Sequence, residues 1–107
     1  MSHPHVWRPS TDIYATDNAY VVLVEIAGMR GADFSVTFDR RRLIIKGNRS
    51  DTSTRKAYHQ MEIAYGEFEV EVVIPSAIDV ESIEATYNDG FLRVVLPISK
   101  PQNIKID

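Results

Sequence analysis

The side chains that could do chemistry in this 107-residue chain are few, and none stands in a catalytic pattern. His3 and His5, near the N-terminus, could bind a transition metal, but a solvated terminus is the simpler interpretation. His59 could titrate near neutral pH, although single histidines on strands are usually just half-exposed. Ser10, Ser35 and Ser82 have no histidine and aspartate nearby that would activate a hydroxyl.

Phosphate and thiol chemistry are missing from the sequence as well. It contains no phosphate-binding P-loop, no nucleotide-binding Gly-x-Gly-x-x-Gly and no cysteine, which excludes disulfides and thiolate metal sites. We therefore predict a protein that is not an enzyme and uses no cofactor and no metal.

Two charged runs have plain structural interpretations. Residues 40–42 are arginines beside an expected turn, which is typical of a solvated hairpin tip, and Glu67, Glu69 and Glu71 alternate along one face of an expected strand. The net charge is −3, and no basic surface with interleaved aromatic residues is evident, so we expect no nucleic-acid partner.

No apolar run approaches the roughly 18 residues of a membrane span, and residues 1–8 lack a secretory signal. We expect a cytoplasmic protein without a membrane partner.

Apolar and polar residues alternate with a period of two through most of the chain, and this pattern predicts strands. The alternation is clear at residues 34–38 and 68–74. Residues 20–26 are a β-branched and aliphatic run, residues 43–46 are a short apolar run, and residues 85–96 form a hairpin with an Asn-Asp-Gly turn. We expect Gly47 to end the run at 43–46, and residues 75–79 could hold one short helical turn. Short strands at this spacing in a single domain predict an all-β fold, an antiparallel β-sandwich.

Two segments do not fit a simple sandwich. Residues 48–56 are polar and precede another alternating run at 58–63, so they form either a surface excursion or an arm that carries a strand to a second subunit. At the other end, Ile104 and Ile106 are large apolar side chains on a polar tether. They need a groove on this chain or a neighbour, which favours a protein that handles exposed apolar surface.

Seven pieces of sequence, in order, resemble the alpha-crystallin domain of the small heat-shock proteins, in their microbial and plant branch. The pieces lie at residues 12–20, 26–28, 43–49, 65–68, 74–75, 85–96 and 104–106. They include Tyr-Gly-Glu-Phe, the signature Ala-x-x-x-x-Gly-x-Leu with Gly90 and Leu92, and the tail Ile-Lys-Ile. The resemblance implies an immunoglobulin-like antiparallel β-sandwich at residues 12–97, between a short N-terminal arm at 1–11 and a tail at 98–107.

The resemblance further implies a homodimer made by strand exchange. Residues 48–63 would leave one subunit, and their strand would pair with the partner's sheet edge near residues 12–15. The strand of this dimer arm would consist of Ala57, Tyr58, His59, Gln60, Met61 and Glu62.

The function implied by the resemblance is ATP-independent holding of unfolding proteins. Val36, Ile83 and Ala85 would line an apolar groove between the strand at 34–38 and the strand at 82–87. The tail residues Ile104 and Ile106 would enter such a groove and link dimers into higher oligomers.

Two departures from the family pattern bear on this expectation. Val70 and Val73 stand where members often carry basic residues, and we expect both to add to the apolar surface. Only about ten residues precede residue 12, where members usually have tens, so we expect weak holding. The alternatives are a co-chaperone or scaffold module of the CS-domain type, and a subunit that caps hetero-oligomers of a longer small heat-shock protein.

Overall fold

The computed structural model describes residues 6–51, 62–101 and 104–107, and these form an antiparallel β-sandwich. The strands are β1 (Thr11–Ala15), β2 (Ala19–Glu25), β3 (Phe34–Asp39), β4 (Arg42–Arg49), β5 (Gly66–Val73), β6 (Glu84–Asn88) and β7 (Phe91–Pro97). Two single turns of 3-10 helix lie at Gly31–Asp33 and Val80–Ser82. The predicted fold class is confirmed.

The strands divide into two sheets. One has four strands in the order β1-β2-β7-β6, and the other has three in the order β3-β4-β5. The central pair of the first sheet joins distant parts of the chain, because Ala19 lies opposite Pro97 and Glu25 opposite Phe91. Consecutive strands alone therefore cannot complete this sheet.

The core lies between the two sheets and contains the apolar members of the alternating runs. Val22, Val24, Val94 and Leu96 from the first sheet are fully buried, as is Val70 from the second. Side chains that are two residues apart share a face of a strand, so β5 and β7 have one buried face, whereas β2 buries both Val21 and Val22, on opposite faces. The single buried face of β5 and β7 is why the period-two pattern located these strands correctly.

An aromatic row crosses the core at the end of β4. Gly47 lies directly opposite Phe34 on one neighbouring strand and Phe68 on the other. Because the glycine has no side chain, the two rings meet over it, with centroids 6.0 Å apart and planes at 67°. A Cβ at this position would lie 2.4 Å from Cζ of Phe68 and 2.9 Å from the carbonyl oxygen of Asp33. We had expected Gly47 to end the strand, but β4 continues through it to Arg49 because β5 pairs along its whole length.

The turns follow from backbone angles. Asp89 and Gly90 have φ values of 51° and 83°, as an Asn-Asp-Gly hairpin turn predicts. Arg40 and Arg41 have φ values of 51° and 65°, an uncommon geometry for residues with a Cβ, and they form the expected hairpin tip. The prediction of a helical turn at residues 75–79 is wrong. Residues 75 and 76 form a bend, Ile78 forms a β-bridge with Ile98, and the helical turn follows at Val80–Ser82.

Candidate functional site

Two strands of opposite sheets, β3 and β6, border the candidate groove. In the described part of the chain each pairs with a single neighbour, β3 with β4 and β6 with β7, so each is a sheet edge. The rings of Phe34 and Tyr87 bridge the two edges, with centroids 5.2 Å apart. The predicted groove therefore corresponds to a seam where the two sheets are not joined by hydrogen bonds.

The three predicted groove residues lie on or directly beside the two edge strands. Val36 lies opposite Ile45, and Ala85 lies opposite Val94, and both of these partners are fully buried. Directly opposed residues project from the same face of a sheet, so Val36 and Ala85 face the interior. Val36 and Ile83 are half-buried against the core, whereas Ala85 is exposed. An interior-facing residue that remains exposed marks an opening between the sheets. That this opening binds apolar segments remains a prediction.

Tyr87 closes one end of the seam, and sequence reasoning missed it. Its hydroxyl donates to the carbonyl oxygen of Ile26 at 2.7 Å and accepts from the amide of Met29 at 3.2 Å. The loop after β2 is thereby fixed to β6. The signal was available, because Tyr87 is two residues from Ala85 on the same strand and so shares its face.

The tail leaves the sandwich from a fixed point. The amide of Ile98 donates to the carbonyl oxygen of Asn18 at 2.9 Å, and the amide of Ser99 donates to that of Ala77 at 2.8 Å. Beyond these bonds, Ile104 and Ile106 are 85% and 91% exposed. An extended chain from Ser99 to Ile104 reaches about 17 Å. The two isoleucines are thus free of their own core.

The acceptor edge that we predicted for the dimer arm lies on β1. This strand pairs with β2 alone in the described part of the chain, and Ile13 and Tyr14 are 48% and 45% exposed. The predicted arm residues Ala57, Tyr58, His59, Gln60 and Met61 lie outside the described residues. Glu62 and the neighbouring Ile63 are exposed, and neither belongs to a strand of this chain. Exchange of this strand remains a prediction.

The two valines that we expected to add apolar surface behave differently. Val73 is 69% exposed, but Val70 is fully buried in the core, so the expectation for Val70 is wrong. Val70 shares the face of Phe68 and Val72, which are both core residues, while Val73 shares the face of the glutamates.

The charged residues form a solvated outer face on the three-stranded sheet. Arg42 forms an ion pair with Glu71, and Nζ of Lys46 lies 3.9 Å from Oε1 of Glu69. All four side chains are well exposed, so these pairs add little stability. In the segments that the structure describes, no three histidine or carboxylate side chains come together as a metal site.

The N-terminal segment packs on the domain, which sequence reasoning did not foresee. Trp7 bridges to Phe68 on the free edge of β5, and its amide donates to the carbonyl oxygen of Glu67 at 3.1 Å. Pro9 is fully buried. A segment held by a single bridge has no alternating pattern, so period-two analysis could not find it.

The sequence of this chain is similar to those of known proteins. Residues 12–107 match the Hsp20/alpha crystallin family. Small heat shock protein C2 of Rickettsia felis is 34% identical over 91 residues, which cover 83% of this chain and 59% of that protein. The chain thus spans less than two thirds of that relative's length.

Solved structures are also similar. Heat shock protein 16.0 from Schizosaccharomyces pombe has a TM-score of 0.78 and 30% identity, with 94% of this chain and 98% of that one covered. A small heat-shock protein from Xylella fastidiosa has a TM-score of 0.79 and 28% identity, with 96% and 99% covered. Within the described residues, no helix has the length and apolar character needed to cross a membrane.

Proposed function

Because this chain belongs to the Hsp20/alpha crystallin family of small heat-shock proteins, we propose that it holds unfolding proteins without ATP and suppresses their aggregation. Membership in the family implies a chaperone role. The holding mechanism and its independence of ATP are our own extension, supported by the absence of a phosphate-binding loop from the sequence.

The observation that carries the proposal is the open seam between β3 and β6. Its interior-facing Ala85 is exposed, and half-buried Val36 and Ile83 flank it, so an apolar segment that lies in the seam covers surface that is otherwise wet. Full burial of one isoleucine contributes roughly 1.5–3 kcal/mol. Ordering a flexible segment opposes this gain, so the contact is weak and reversible. Weak contacts suit a protein that must release what it holds.

The occupant of the seam in the idle protein would be the tail of a neighbouring copy. Ile104 and Ile106 are exposed and stand two residues apart, so in an extended chain they project to the same side. Two isoleucines contribute about 3–6 kcal/mol before the cost of ordering the tail. Tails would thus link dimers into larger assemblies and leave when an unfolding protein competes.

The dimer itself would form by strand exchange onto β1. This edge exposes Ile13 and Tyr14 and leaves one side of its backbone without a strand partner in the described residues. Paired edges satisfy each other's amide and carbonyl groups, which stabilises the dimer. Deleting residues 51–62 should give a monomer in analytical ultracentrifugation. A deletion variant that still sediments as a dimer would refute strand exchange.

The proposal also covers the protein's class, its partners and its cellular compartment. We propose a cytoplasmic protein that is not an enzyme and whose partners are unfolded proteins and copies of itself, with neither nucleic acid nor membranes among them. The net charge of −3 and the lack of cysteine support this.

Light scattering of a heat-labile protein, with and without this chain, tests the proposal. We expect weak protection at substoichiometric amounts, clear protection in excess, and no effect of ATP. The key variant is Ala85→Glu, which places a charge in the seam. Its matched control is Thr86→Glu, which makes the same charge change at the next, exposed residue of β6 on the opposite face.

The result is decisive in either direction. Loss of protection in Ala85→Glu but not in Thr86→Glu supports the groove. If the unmodified chain in severalfold excess leaves aggregation unchanged, the holding proposal fails, and a capping subunit or CS-type module becomes the better interpretation.

A further inference from the structure

Arg49, the last residue of β4, lies between two aromatic rings. The centre of its guanidinium is 4.8 Å from the ring centroid of Trp7 and 5.3 Å from that of Tyr65. Both distances are within the range of a cation–π contact. Trp7 belongs to the N-terminal segment and Tyr65 to the segment that leads into β5, so one side chain contacts two separate parts of the chain.

The same guanidinium also binds backbone oxygens of two loops. Nε and Nη2 donate to the carbonyl oxygen of Ala64 at 3.0 and 2.5 Å, and Nη1 donates to that of Ala27 at 3.3 Å. Arg49 is the last residue of β4, at the start of the segment 48–63 that we assign to the dimer arm, and Ala64 directly follows that segment. Arg49 therefore ties together the two ends from which that segment leaves and to which it returns.

Trp7 is held by contacts that can break together. Its amide donates to Glu67 and its carbonyl oxygen accepts from the amide of Glu69 at 3.0 Å, while Nε1 donates to the carbonyl oxygen of Gly66 at 3.2 Å. Its ring lies 5.6 Å from that of Phe68. If Trp7 leaves, Arg49 loses one ring and the edge of β5 loses its cover.

We propose that Arg49 couples the N-terminal segment to the base of the loop between β4 and β5, so that docking of Trp7 and ordering of residues 62–66 rise and fall together. The coupling needs an element with two states, and docked or released Trp7 supplies it. An open pocket of about 350 Å³ lies at the surface beside Trp7, Arg49 and Ile63.

The nature of the contacts makes Arg49 hard to replace. Within the described residues it forms no ion pair, so its charge is stabilised by rings and carbonyl oxygens rather than by a carboxylate. The planar guanidinium of arginine stacks on aromatic faces and donates from a rigid fork, whereas the ammonium of lysine is a compact, strongly hydrated point charge. Arg49→Lys keeps the charge but should lose the coupling.

Trp7 is the single tryptophan of the chain and so reports its own docking. In the full-length protein, Arg49→Lys should shift the emission of Trp7 to longer wavelength and increase its quenching by acrylamide. Arg42→Lys is the matched control, because Arg42 lies at the other end of β4 in an exposed ion pair. We expect the control to leave the emission unchanged.

Amide hydrogen exchange and limited proteolysis test whether the coupling is mutual. Arg49→Lys should speed exchange at Glu69, whose amide binds Trp7. In the other direction, Trp7→Leu should speed cleavage by chymotrypsin at Tyr65, whose ring contacts Arg49. Typical couplings change the population of a released state by about 5- to 150-fold. Exchange at Val94, in the core, should stay unchanged and so shows that the variants are folded.

Each outcome decides the proposal. Faster exchange at Glu69 in Arg49→Lys and faster cleavage at Tyr65 in Trp7→Leu, with unchanged exchange at Val94, support it. If Arg49→Lys leaves the Trp7 emission and the Glu69 amide as they were, Arg49 couples nothing and the proposal is overturned. If Trp7 is released but cleavage at Tyr65 stays unchanged, Arg49 is only an anchor for the N-terminus and the proposal is likewise overturned. None of these readouts depends on chaperone activity, so the proposal can fail or succeed separately from the holding function.

Discussion

Gly47→Ala is the sharpest perturbation that the fold offers. The added methyl group would lie 2.4 Å from Cζ and 2.8 Å from Cε2 of Phe68, and 2.9 Å from the backbone oxygen of Asp33. Real Cβ atoms essentially never approach this closely, so the ring must move. Phe68 is 1% exposed and contacts the rings of both Trp7 and Phe34, so it has little space to move into.

The magnitude follows from overpacking. Forcing extra atoms into a packed core costs about 1–3 kcal/mol, and for a domain of this size each kcal/mol lowers Tm by about 4 °C. We therefore expect a loss of about 4–12 °C, measured by circular dichroism, and a lower urea midpoint with unchanged slope. The ring contact with Trp7 should also weaken, which the tryptophan emission will register.

Gly31→Ala is the matched control. A Cβ at Gly31 would meet no atom within 4 Å, and the residue does not have a positive φ, so the substitution should be neutral or stabilise by about 0.4–1 kcal/mol. A Gly47→Ala variant that melts within 2 °C of the parent would show that the aromatic row adjusts freely, and would refute the packing argument.

Three further predictions concern the groove, a turn and the tail. Tyr87→Phe should lower the free energy of unfolding by about 1–3 kcal/mol in urea titration, because it leaves the backbone groups of Ile26 and Met29 without their partner; an unchanged midpoint would mean that water replaces the hydroxyl. Arg41→Gly should raise that free energy by about 1 kcal/mol, since glycine adopts its φ of 65° without strain, and a loss instead would show that the arginine side chain stabilises the turn. Replacing Ile104 and Ile106 with glycine should reduce any larger species to dimers in light scattering and change stability by less than about 0.5 kcal/mol; a marked drop in Tm at unchanged mass would place the tail in its own core.

Strands that have one buried face could be predicted from the sequence. The runs that became β5 and β7 alternate because every second residue is buried, and this is visible without any long-range information. The run that became β2 was visible as a short, β-branched apolar stretch. Strand ends were less predictable, because they depend on the neighbour. Gly47 did not stop β4, since β5 continues alongside it.

The candidate groove was predicted through the family resemblance and not from the alternation pattern. The resemblance placed Val36 and Ile83 beside a groove, and in the structure both are half-buried against the core, next to the edges β3 and β6; their role in binding stays a prediction. Trp7 and Arg49 could not be found from the alternation pattern, because their contacts join residues 59 positions apart or act through a ring face rather than a strand face. The exposure of Val70 was predicted wrongly because the prediction relied on the type of residue that the family carries at that position. It did not consider that Val70 shares a strand face with other buried residues of β5.

The pairing of β2 with β7 also has a consequence for the synthesis of the protein. The residues of β2 lie opposite partners 66 to 78 positions later in the chain, from Glu25–Phe91 to Ala19–Pro97. At about 5–20 residues per second, a ribosome needs roughly 3–16 s to make the intervening stretch. During this interval Val21, Val22 and Val24 have left the ribosome without their partner strand. A nascent chain of this fold is therefore exposed to aggregation itself until its last strand emerges.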